Sequence, residues 1–138
     1  MNHPPSEHQT VSVLLATLGA MTPVHHTIDY IEIAATDLAA AKAFYAVAFG
    51  WEFNDYGPGY AGIRTVDGDR EVGGLTTGSA PSRGGPLVLL FSDALDASFA
   101  AVEAAGGTVI AGPYGFPGGR RFHFADPSGN ELGVWSTT

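Results

Sequence analysis

Residues 121–136, RFHFADPSGNELGVWS, read as a strand, a break at Asp126-Pro127-Ser128-Gly129, and a second strand ending at Trp135. Reading upstream, TVIAGPY is another strand, Gly106-Gly107 stops a helix over ALDASFAAVEAA, and LVLLFS is the strand before it. The same order occurs once earlier. IDYIEIA alternates as a strand, Thr36-Asp37 supplies an N-cap for LAAAKAFYAVAF, Gly50 ends that helix, and WEFND, YAGIRTV and EVGGLTT follow as three short strands. Asp37 precedes Gly50 by thirteen residues, and Asp93 precedes Gly106 by thirteen as well. An internal duplication of a strand, a helix and three strands accounts for both halves. One helix can cover the apolar face of each sheet. The opposite faces are then left to be closed by the other half, so the two should curl around a shared concave cavity.

The 138 residues suit one compact domain built of two small halves. Residues 1–26 are expected to form a loose extension, 27–80 the first module and 81–138 the second. Hydrophobic residues are 45% of the chain and charged residues 14%, which supports a packed core. Fourteen acidic against six scattered basic side chains argue against nucleic acid as a partner. Without cysteine there is no disulfide framework, thiolate metal site or cysteine nucleophile, and the cytoplasm is the default compartment. The apolar stretch at 11–20, VSVLLATLGA, is too short to cross a bilayer and has no positively charged residue before it, so neither a membrane partner nor a secretory signal is expected.

The chain resembles the vicinal oxygen chelate superfamily, which includes glyoxalase I, bleomycin resistance proteins and extradiol dioxygenases. Asp37-Leu38, Phe44-Tyr45 and Phe49-Gly50-Trp51 carry the resemblance in the first half; residues 104–109 and Asp126-Pro127-Ser128-Gly129-Asn130 carry it in the second. It implies an α+β fold of two βαβββ modules forming a curved mixed sheet around a cavity, usually paired into a homodimer. In metal-dependent members it further implies four His or Glu ligands, one on each module's first strand and one on each last strand. Carried over, those positions fall on Tyr30, Leu87, Gly74 and Gly133. None is an N or O donor of the expected kind, and Leu and Gly side chains offer a divalent ion nothing. A metal-free cavity with no cofactor is therefore expected, the ligand-lacking branch of the family.

Period-two alternation places Tyr30, Glu32, Arg64, Leu87, Leu89, Phe91, His123, Glu131 and Trp135 on the cavity side, with Gly74 and Gly133 leaving room. This is the ordinary make-up of a small-molecule pocket. Tyr30, Arg64, Phe91, Arg121 and Trp135 are the candidate ligand contacts. His123, with Glu131 or Glu32 beside it, is the candidate for acid or base work. The segment GPYGFPGGRRF, bearing Tyr114, Phe116, Arg120 and Arg121, reads as a long hairpin connection, or functionally as a lid that places an Arg on an anionic group. Two functions remain open: a module that binds a small organic molecule, analogous to the bleomycin resistance type, and an enzyme of the lyase, isomerase or dioxygenase kind (lactoylglutathione lyase-like) using these residues or an unplaced divalent metal.

Overall fold

The Asp37 carboxylate accepts the Ala40 amide at 3.0 Å, so the first helix starts at the cap the sequence indicates, and Gly50 closes it in the left-handed region at a φ of 74°. A computed structural model describes residues 24–68 and 70–138, and the expected N-terminal extension falls almost wholly outside them. The elements in chain order are β1 (Ile31–Ala34), α1 (Leu38–Phe49), β2 (Phe53–Asp55), β3 (Tyr60–Arg64) and β4 (Glu71–Thr76), then β5 (Val88–Phe91), α2 (Leu95–Ala104), β6 (Thr108–Phe116), β7 (Gly119–Ala125) and β8 (Glu131–Ser136). They form two four-stranded mixed sheets ordered β1-β4-β3-β2 and β5-β8-β7-β6. In each, the first strand lies parallel to the last and the remaining pairs are antiparallel. Glu32 stands opposite Gly74 and Leu89 opposite Gly133, so the two modules share one register as the duplication requires.

The second helix starts differently from the first: Ala94 is the N-cap of α2 without a side-chain bond, while Ser92 Oγ accepts the Ala94 N–H at 3.0 Å and meets Ser98 Oγ at 2.7 Å. One local feature differs from the sequence reading: the Gly-Pro-rich segment is not a long loop, because Tyr114, Gly115 and Phe116 pair with Arg121, Arg120 and Gly119, leaving only residues 117–118 as the turn. Pro113 cannot donate to a ladder, and the strand absorbs it through register shifts between Val109 and Tyr114.

The helix-bearing faces of both sheets merge into one core. Ile33, Ala61, Ile63 and Leu75 from the first sheet and Phe122, Phe124, Leu132 and Val134 from the second pack with Phe44, Tyr45, Leu95 and Val102 of the helices. Phe44 and Phe49 of α1 lie 5.9 and 5.8 Å from Phe124, so the first module's helix reaches the second module's sheet. The opposite sheet faces stay open in the single chain. Phe91 and Tyr114 are exposed there, and of the expected mutual closure the described residues show a cleft of about 270 Å³ along β1 and β5, lined by both Glu32 and Glu131. No described helix is long and apolar enough to cross a membrane.

One buried polar knot ties the modules together. The Tyr45 hydroxyl donates to Asp126 Oδ2 at 2.9 Å, and Asp126 also accepts the Ser128 and Asn130 amides and the Asn130 side chain, each at 2.9 Å. Asn130 donates in turn to the Ala34 carbonyl and accepts from Ser82 N at 3.0 Å. Burial first, and the neighbouring Asp126 carboxylate second, hold the Tyr45 hydroxyl far above the ordinary phenol range. The folded state thus keeps a proton that the unfolded chain releases near pH 10. This contribution to stability is intact below pH 10 and falls by about 1.4 kcal/mol per pH unit above it. Denaturant melts at pH 9 and 11 are expected to show this loss, reduced in Tyr45→Phe; equal pH slopes in the two proteins would remove Tyr45 as its source.

Candidate functional site

On β7 and β8, Phe122, Phe124, Leu132 and Val134 point into the core, which turns Arg121, His123, Glu131 and Trp135 to the open side. Their ladder sets Arg121 opposite Trp135 and Ala125 opposite Glu131, so His123 and Glu131 are diagonal neighbours. His123 Nδ1 and Glu131 Oε2 are 2.8 Å apart, with side chains 13% and 24% exposed. On the far side of the ring, His123 Nε2 meets the Tyr114 hydroxyl at 3.0 Å, and Arg121 Nε donates to that hydroxyl at 2.6 Å. One assignment satisfies every group: Arg121 donates to Tyr114, Tyr114 to Nε2, and Nδ1–H to Glu131. The result is a four-residue polar line with a guanidinium at one end and a carboxylate at the other.

An aromatic wall flanks that line. Phe91 packs edge-on to Trp135 at 5.0 Å and Phe116 does so at 6.1 Å, while the Arg121 guanidinium lies 5.5 Å from the Tyr114 ring and 5.6 Å from that of Phe116. Phe91, Arg121 and Trp135 thus gather with His123 and Glu131 on one face. Gly133 does not leave a void, because a Cβ there would lie 2.6 Å from Leu89 Cδ2. Leucine occupies the space that the absent side chain leaves.

The first module's open face carries a different cluster. Glu71, 4% exposed, accepts from Tyr30 at 3.3 Å and from Asn54 at 3.1 Å, and also from Tyr56. Tyr30 and Tyr60 share a 2.6 Å hydrogen bond, and Tyr60 donates to Glu32 at 2.9 Å. Burial leads in raising both hydroxyls, Tyr60 to about 12 and Tyr30 higher still, so both stay protonated as donors at neutral pH. Two glycines make the room. A Cβ on Gly62 would lie 2.2 Å from the Glu71 carboxyl and one on Gly74 would lie 2.1 Å from the Tyr60 hydroxyl.

Sequence reasoning missed Glu71 and Tyr114. Strict alternation puts Glu71 on the face opposite Gly74, but the register shift at Ile63 and Arg64 leaves Val72 unpaired as a bulge and reverses the parity. The same shift ends the period-two rule that placed Arg64 on the cavity side. Its Nη1 instead meets Glu52 Oε1 at 3.1 Å, and the residue lines a separate cleft. Tyr114 was assigned to a long hairpin connection, yet it pairs with Arg121 in the ladder, and the i, i+2 spacing of Tyr114 and Phe116 is the strand signal that the glycines and prolines outweighed. Glu32 binds Tyr60 in the first module, and the His123 line is built without it.

The metal-ligand positions can now be tested against the donors present. Tyr30 is engaged with Tyr60 and Glu71, Tyr60 covers Gly74, Leu89 covers Gly133, and Leu87 lies just before β5. Among the described residues, no three His, Cys, Asp or Glu side chains converge. These four positions do not fit a divalent ion.

Comparison with known proteins agrees with the architecture. A profile described as the Glyoxalase/Bleomycin resistance protein/Dioxygenase superfamily matches residues 27–134. "Putative glyoxylase CFP32" of Mycobacterium tuberculosis (strain CDC 1551 / Oshkosh) is 27% identical over 117 residues, covering 79% of this chain and 45% of its own length. The chain therefore spans under half of that relative. A family enzyme from Burkholderia phytofirmans PsJN superposes with a TM-score of 0.66 at 20% identity, over 80% of this chain and 98% of that one. TnmS3, an antibiotic binding protein from Streptomyces sp. CB03234, gives 0.61 at 25% identity, over 86% and 100%. With the duplicated βαβββ register and a profile match across most of its length, the chain belongs to the glyoxalase/bleomycin resistance protein/dioxygenase superfamily.

Proposed function

We propose that the protein binds a small organic molecule with an aromatic or amphipathic body on the open face of its second module, without a divalent ion. One observation carries the reading: the Arg121–Tyr114–His123–Glu131 line runs beside Phe91, Phe116 and Trp135, joining apolar contact area to directional polar groups. The likeness to TnmS3, an antibiotic binding protein, supports it. The exposed Leu89, Phe91 and Tyr114 suit closure by a second copy, so the working unit is proposed to be a cytoplasmic homodimer.

The test follows the Trp135 indole N–H resonance, assigned with Trp135→Phe, during titration with 1-naphthoate. Saturable shifts are expected, with affinity at least tenfold weaker in Phe91→Ala. An unmoved Trp135 signal sinks the reading, and stoichiometric metal in protein purified without chelator sinks its metal-free part.

The His123 line itself favours a second reading, an enzyme that moves a proton. Glu131 fixes the ring through Nδ1, and the Tyr114 hydroxyl bound at Nε2 can relay a proton from a bound carbon acid, taking it on oxygen as it passes its own to Nε2. If so, His123→Ala lowers turnover of an enolisable 2-oxo substrate at least a hundredfold while its affinity changes little. Equal turnover in the two proteins leaves binding alone.

A further inference from the structure

A second cleft, of about 670 Å³, lies between β1, the β3–β4 hairpin and β5, and touches the His123 face through Leu89. Its walls include Ile31, Ile33, Ile63, Trp51, Val88 and Leu90. Both Ile33 and Ile63 belong to the core cluster, so the cleft opens onto the core side of the first sheet. Arg64 ends β3 and Arg70 precedes β4, so one hairpin brings two of the chain's six basic residues to the same wall. The Nε atoms of both are buried and find no acceptor among the described residues. Orphaned guanidinium donors beside apolar walls need an explanation, since buried N–H groups in folded proteins almost always have partners.

We propose that this cleft binds a medium-chain carboxylate, its chain against the Ile, Val and Leu walls and its two oxygens toward Arg64 and Arg70. A carboxylate offers two acceptors to two donors that lack them, and a guanidinium matches that planar group better than it matches a hydroxyl. Glu52 already gives Arg64 a carboxylate, but only through Nη1 at 3.1 Å, so the Nε donors of Arg64 and Arg70 are the ones left without an acceptor among the described residues. Asp67 is on the exposed turn where solvent screens it. The volume lies within the range of small-molecule sites and exceeds what a ten-carbon chain requires.

Decanoate below its micellar concentration, titrated into 15N-labelled protein, is expected to give saturable shifts at the amides of Ile33, Arg64, Arg70 and Leu90. The Arg64→Gln/Arg70→Gln double variant is expected to bind it at least tenfold more weakly, as is decanol with the native chain. Arg70→Gln alone, at a half-buried position, is expected to weaken binding at least threefold should the double variant fail to fold. Equal affinity for decanol, equal affinity in Arg70→Gln, or shifts confined to His123 and Trp135 would overturn the proposal. So would cleft shifts on dilution of the protein alone, which would mark a contact between copies. Naphthoate binding at Trp135 is read separately, so either site can fail without the other.

Discussion

Asp126→Ala is expected to cost about 4 kcal/mol of folding stability. The carboxylate is 5% exposed and accepts four hydrogen bonds, two from backbone amides of its own turn, one from Asn130 and one from Tyr45 of α1. Alanine leaves all four donors facing a small void that cannot hold enough solvent to serve them. One of these links, and a further one made by Asn130, join elements far apart in sequence. Tyr45 belongs to the first module, and Asn130, which Asp126 orients, holds the Ala34 carbonyl at the end of β1. The melting temperature should fall by about 10 °C or more. Asp126→Asn keeps the shape and some of the acceptors, so it should lose about half as much. A double-mutant cycle with Tyr45→Phe should give a coupling of about 1 kcal/mol or more, because the two groups share one bond. An Asp126→Ala protein that unfolds within 1 kcal/mol of the native chain would show that the knot is incidental. The effect also reaches the candidate site, since the same turn sets Glu131 opposite Ala125 and so beside His123.

That turn was legible because Asp-Pro-Ser-Gly-Asn is local chemistry. Its side chains bond their own backbone within four residues, and such information lies in a short stretch of sequence. The duplication was legible for a related reason: an aspartate before each helix and a glycine after it recur at fixed spacing, and the ladders then place Gly74 and Gly133 in equivalent registers. Grouping His123 with Glu131 needed only period-two alternation along an unbroken hairpin. Where alternation fails, so did the reading. The bulge at Val72 turns Glu71 onto the open face and ends the rule that placed Arg64, and no residue type announces it. Proline in β6 suggested a loop, yet cross-strand pairing overrode that local signal and carried Tyr114 to His123.

The bulge itself can be tested at Gly73, where substitution by alanine is expected to cost about 3 kcal/mol. A Cβ at this position would lie 2.2 Å from the Ile31 carbonyl oxygen. That atom is backbone, so no rotamer change can relieve the overlap. Either β1 moves off β4, losing the parallel ladder from Ile31 to Ala34, or β4 shifts and the Val72 bulge with it. Both routes disturb one group of residues. Tyr30 leads into β1 and Glu71 opens β4, so the 3.3 Å bond between them and the 2.6 Å bond from Tyr30 to Tyr60 should loosen together. Glycine is therefore required here by the approach of a neighbouring strand, with no left-handed backbone involved. Gly84→Ala is the control, since a Cβ there meets nothing within 4 Å and its cost should stay within about 0.5 kcal/mol. Urea melts should separate the two variants clearly, and the tyrosine hydroxyl signals of Tyr30 and Tyr60 should shift only in Gly73→Ala. If the two alanines cost the same, β1 is not seated on β4 as closely as the ladder requires, and the phenol cluster built across that seam loses its support.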